Sequence, residues 1–137
     1  MAAISVTAAN VLPGSNSNIQ VGTAGATITQ GQSLYFDSAS GTLKLADADG
    51  TSPANTFSGI ALNAGSTGQP ISYTAQASAL VPGGTVLAGD VIYLSPVAGG
   101  ITKTYADLLS GATVIILGVV NTDLSLNLKP VVGGVKA

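Results

Sequence analysis

The sequence predicts an all-β chain, a compact small barrel-like or sandwich-like domain built from two similar hairpin-containing halves. Three observations predict it: short apolar segments punctuated by glycine, an internal repeat, and the absence of any sustained helical period. The 137 residues are 46% hydrophobic, mainly Ala, Val, Leu and Ile, with four Tyr, two Phe and no Trp. Small, β-branched and turn-forming residues in that mixture suit short strands joined by tight turns. A chain of this length has room for one domain, or two very small ones, with a genuine core.

The repeat aligns Thr27-Ile28-Thr29-Gln30-Gly31-Gln32-Ser33-Leu34-Tyr35-Phe36 with Thr85-Val86-Leu87-Ala88-Gly89-Asp90-Val91-Ile92-Tyr93-Leu94 at a constant offset of 58. Gly41 then lies over Gly99 and Leu43 over Ile101. After a one-residue slip, Phe57-Ser58-Gly59-Ile60-Ala61 lies over Ile116-Leu117-Gly118-Val119-Val120. The halves are expected at about 26–80 and 84–130, in a β domain over 26–137.

Residues 1 to about 25 are rich in Asn, Ser, Gly and Ala, with Ile4, Val6, Val11, Leu12, Ile19 and Val21 as apolar anchors. They read as an extended N-terminal arm or as a first strand, and both hold if Ile19-Gln20-Val21 pairs. In each half the glycine at 31 or 89 permits positive φ in a turn before an alternating strand. Leu34 and Phe36 share one face, opposite Ser33, Tyr35 and Asp37; Ile92 and Leu94 likewise oppose Val91, Tyr93 and Ser95. Ser38–Gly41 and Pro96–Gly100 supply the return turns. Further strands are expected at Phe57–Leu62, Ile71–Ala75 and Thr113–Val120, and Leu124, Leu126 and Leu128 alternate with polar residues. Tyr105–Ser110 reads as at most one short helical turn, ended by Gly111.

Charge bounds the partners. Charged residues make up 7% of the chain, four Lys and six Asp, against about 25% in an ordinary soluble domain. Nucleic acid is not an expected partner, because phosphate binding draws on clustered cations. The apolar run Ala112–Val120 is far short of the roughly 20 residues that span a bilayer, so no membrane is expected. A nearly uncharged surface with mean hydropathy +0.51 is instead expected to be covered by copies of itself or by a partner.

The side chains that usually carry catalysis are scarce. His, Glu and Cys are absent, and neither Gly-x-Ser-x-Gly, Ser-x-x-Lys nor a phosphate-cradling glycine motif occurs. No catalytic, cofactor-binding or metal-ligating residue is assigned, and the chain is expected not to be an enzyme. Asp47-Ala48-Asp49-Gly50 begins like a calcium loop, but Thr51 stands at the fifth position and no Glu closes the site; an Asx-rich surface turn fits better. Tyr35 and Tyr93 are the repeated aromatics, suited to anchoring an interface or to cross-strand packing.

Ile28–Tyr35, Phe57–Gly65, Gly68–Tyr73, Ala88–Ser95, Ile116–Val120 and Leu124–Leu128, in that order and spacing, resemble the head decoration, or capsid cement, proteins of tailed bacteriophages. The resemblance covers about Thr27 to Lys129. It implies a β-rich structural protein, commonly a homotrimer, that is made in the host cytoplasm and sits on the capsid exterior of the virion. Its partner would be the major capsid protein, engaged by the N-terminal arm through Ile4, Val6, Val11 and Leu12. Other classes compatible with the composition are a phage tail or baseplate subunit and a host-surface carbohydrate-binding module, although the lack of Trp leaves few platforms for stacking sugars.

Overall fold

The computed structural model describes residues 6–12, 18–51, 53–84, 86–108 and 110–136. Gly31 and Gly89 take φ of 93° and 87°, a conformation that glycine adopts without steric cost. Each turn is pinned by a side chain: Thr29 N–H donates to Gln32 Oε1 and Leu87 N–H to Asp90 Oδ2, both at 2.8 Å. The amide of Gly31 then donates to Ala61 O and that of Gly89 to Val120 O, again both at 2.8 Å. The sequence repeat is therefore a repeat of hydrogen bonds.

The described strands, in chain order, are β1 (Val6–Leu12), β2 (Ile19–Thr23), β3 (Ser33–Asp37), β4 (Thr42–Leu45), β5 (Gly59–Ala61), β6 (Pro70–Thr74), β7 (Ala77–Gly84), β8 (Val91–Leu94), β9 (Ile101–Thr102), β10 (Thr113–Val120) and β11 (Leu126–Val135). A turn of 3₁₀ helix occupies Tyr105–Asp107. The strands form two antiparallel sheets, ordered β2-β6-β5-β3-β4 and β1-β7-β11-β10-β8-β9. With β1 set aside, the second order repeats the first. Registers repeat too: Leu34↔Gly59 corresponds to Ile92↔Gly118, Tyr35↔Lys44 to Tyr93↔Thr102, and Ala61↔Tyr73 to Val120↔Leu126. The repeat thus begins one strand earlier than the sequence match, at Ile19 and Ala77.

The described part of the expected arm is laid into both sheets. β2 pairs with β6, and β1 pairs with β7 through Val6↔Gly84, Val11↔Pro82 and Leu12↔Val81. The physical reason is edge closure, since an uncovered strand leaves its amides and carbonyls without partners. In the first half β4 does this, through an isolated parallel bridge Ala24↔Leu43 and a bond from Gly25 N–H to Leu43 O. Pro82, equivalent to Ala24, pairs instead with β1. One half closes on itself and the other borrows the N-terminal strand.

The core has two parts. The smaller comprises Ala24, Ile28, Leu34, Leu43, Ala61 and Ile71 of the first half. The larger is centred on Ile92, Leu94, Ile115, Leu117, Leu126 and Leu128 of the second half, and it also takes in Ala46, Ala48 and Ile60 from the first. β3 lies between them: Leu34 enters the small core, while Tyr35 packs against the large one. Phe36, expected to share one face with Leu34, is 48% exposed, although its cross-strand partner Leu43 belongs to the small core. Leu124 also leaves the expected alternation, with β11 starting only at Leu126.

Two equivalent glycines carry close strand approaches. A Cβ at Gly118 would collide with the Asn127 carbonyl, and one at Gly59 would lie 2.9 Å from the Thr74 carbonyl oxygen. Gly118→Ala is expected to cost about 2–3 kcal/mol, read as a lowered urea midpoint. Gly68→Ala, at φ 90° in open space, should cost only about 1–2 kcal/mol. Equal losses at both positions would contradict the close approach at Gly118.

Candidate docking surfaces

The sequence singled out two groups of contact residues. Val6, Val11 and Leu12 fall on β1, whose described partner is β7, and Ile4 lies outside the described residues. Tyr35 and Tyr93 occupy equivalent half-buried positions on β3 and β8, both packed against the larger core. The Tyr93 ring stands 5.6 Å from that of Tyr105, tilted by 58°, an arrangement typical of paired aromatics. Lys136 secures Tyr105 from beyond: its Nζ lies 4.5 Å from the ring centroid and donates to Leu108 O at 2.6 Å.

The polar surface is built from turns. Asp47 Oδ1 accepts from Asp49 N–H at 3.0 Å, so the segment resembling a calcium loop is an Asx turn. Among the described residues no three metal-ligating side chains converge. Asp37 pairs with Lys44 at 2.9 Å across β3 and β4, and its carboxyl is held below the usual range by Lys44 and then by Ser40. Asp123 is held low by the Ser125 hydroxyl and then by the Ser125 amide.

The apolar surface gathers on the second half. β10 and β11 run together from Val120↔Leu126 out to Thr113↔Val135, and the last stretch exposes Val131, Val132 and Val135. No charged residue occurs from Pro130 to Val135. Beside it lies an open groove of about 260 Å³, lined by Asn55, Phe57, Thr113, Ile115, Pro130 and Val132 among others. At the opposite end of β11, Leu124 is 48% exposed, and Leu87, in a turn bonded to Val120, is 63% exposed. Sequence reasoning missed the groove, because its walls come from segments far apart in the chain. The run Val131-Val132 was legible as apolar, but nothing in it signals exposure.

Comparison with protein-family models, with curated proteins and with solved structures found no match.

The lowered Asp123 carboxyl has a defined pH signature. A group whose folded pKa lies below its unfolded value, about 3.9, stabilises the fold above that value, and the contribution is lost as pH falls through the folded pKa. Asp123→Asn is expected to lower the urea midpoint at pH 6, and the gap to the parent chain should close in strong acid. A gap that persists unchanged there would contradict the Ser125 bonds as its cause.

Proposed function

We propose that the chain is a structural virion protein that binds the outer surface of a phage capsid and stabilises the shell as a homotrimer. The supporting observation is the uncharged far end of the β10–β11 ladder, away from its connecting turn, which exposes three valines beside an apolar groove on a chain with very few charges. The resemblance to capsid decoration proteins supplies the identity of the surface to be covered. Burial of aliphatic area drives such docking, and three linked copies raise the effective concentration at equivalent shell sites. Because the module binds assembled subunits and not dispersed ones, occupancy stabilises the shell.

The arm residues Val6, Val11 and Leu12 fit this reading in a specific way. Among the described strands β1 is the outermost of its sheet, so a capsid strand can add to its far edge without displacing it from β7. Tyr35 and Tyr93 contribute mainly by packing the fold, and catalysis plays no part.

Sedimentation with purified empty heads tests the proposal. Saturable, stoichiometric binding is expected, together with a higher temperature of head disruption. Since the contact is largely uncharged, added salt should leave binding unchanged. Failure to sediment with heads, or binding lost on adding salt, would contradict it.

A further inference from the structure

Every described residue with positive φ is glycine except one, Leu124, at φ 67°. A bulky side chain in that region costs about 1–2 kcal/mol that glycine avoids. Burial within the chain repays only part of it, since the residue stays 48% exposed. The turn is nonetheless firmly made. Asp123 accepts from the Ser125 amide and hydroxyl, Leu124 N–H donates to Asn121 O at 3.0 Å, and Asn121 N–H donates to Ser125 O at 2.7 Å. The result is a rigid turn that holds an aliphatic knob outward. Strain of this kind concentrates where a side chain is needed for contact. Leu87 stands at the same end, where its repeat equivalent is the polar Thr29.

The groove lies where the second half departs from the first. β5 begins at Gly59, the equivalent of Gly118, whereas β10 begins at Thr113; β6 ends at Thr74, whereas β11 continues to Val135. The first half keeps its ladder without this extension, so the extension is not required by the fold plan. Its groove, about 260 Å³, is below the roughly 300 Å³ at which small-molecule pockets begin. Two of its polar side chains are already engaged with each other, Asn55 Nδ2 donating to Thr113 Oγ1 at 2.9 Å. The third, Thr56, donates its hydroxyl to Pro53 O at 2.7 Å. The rest of the lining is apolar, Phe57, Ile115, Pro130 and Val132, and suits an aliphatic side chain.

Knob and groove lie at opposite ends of β11. From Leu126 to Val132 alone the strand spans roughly 20 Å, so a chain cannot fill its own groove with its own Leu124. We infer that Leu124 of one copy seats in the Phe57, Ile115, Pro130 and Val132 groove of a second copy. The occupant is a second copy because the chain itself carries both complementary parts. Leu87 around the knob and Val131 and Val135 around the groove widen the buried area. The contact is head-to-tail, the kind that generates a closed ring when its rotation permits. It deepens the homotrimer part of the proposed function and does not depend on the capsid.

The chain contains no cysteine, which makes cross-linking clean. Leu124→Cys and Val132→Cys chains, mixed under mild oxidation, are expected to form the mixed disulfide at least tenfold faster than Leu124→Cys mixed with Ala39→Cys, a thiol on an exposed turn that is not part of the groove lining. Leu124→Gly is expected to keep or raise the unfolding midpoint while weakening self-association at least tenfold by light scattering. Equal cross-linking rates, or Leu124→Gly chains that associate like the parent, would overturn the inference. Trimers that bind heads without the 124–132 cross-link remove this contact alone. Cross-linking as expected without head binding removes the capsid reading and supports the contact.

Discussion

The structure depends on one seam, where the Gly99-Gly100 turn of the second half enters against β3 and β4 of the first. Gly99 N–H donates to Ala46 O at 2.7 Å, its carbonyl accepts from Ser33 N–H at 2.9 Å, and Ser33 Oγ donates to Gly100 O at 2.8 Å. Ala48 continues the seam, donating to Ser95 O and accepting from Thr113 N–H. Gly99 sits at φ 77° with Leu45 and Gln32 about 3.1–3.2 Å from the place of a Cβ, which favours glycine on both counts. Each half alone has about the size at which a single core becomes marginal. Joined at the seam, the first half's Ala46, Ala48 and Ile60 complete the larger core, and the buried Ser33 hydroxyl is satisfied.

The halves agree where backbone bonds dictate and differ where side chains meet solvent. Their turns and ladders match because hydrogen-bond geometry and glycine conformation tolerate few alternatives. They diverge at the closing edge, where β4 serves one half and β1 the other, and at the β10–β11 extension with its exposed valines. The first half completes its ladder without that extension, so the second half's exposed valines lie outside the plan that the halves share.

Much of this was legible in the sequence because glycine marks backbone requirements directly. Gly31, Gly41, Gly89 and Gly99 all take positive φ, and matching their spacing located both hairpins. β10 coincides with the expected Thr113–Val120, since its apolar run is bounded by turn residues. β7 is absent from the expected strands because Pro82, Gly83 and Gly84 carry no alternating pattern, yet β1 supplies a partner there. Alternation placed Leu34 with Phe36 and Leu124 with Leu126, but it records which residues share a face and not where the core ends. The groove is built from residues 57, 115, 130 and 132, a proximity no local pattern encodes.

The central claim is that this two-part β module works by covering a shell surface. A low-resolution image of purified empty heads saturated with the chain tests it most directly. The account predicts added density projecting from the outer surface at equivalent positions over the whole shell; bare heads, or density confined to the tail, would contradict it.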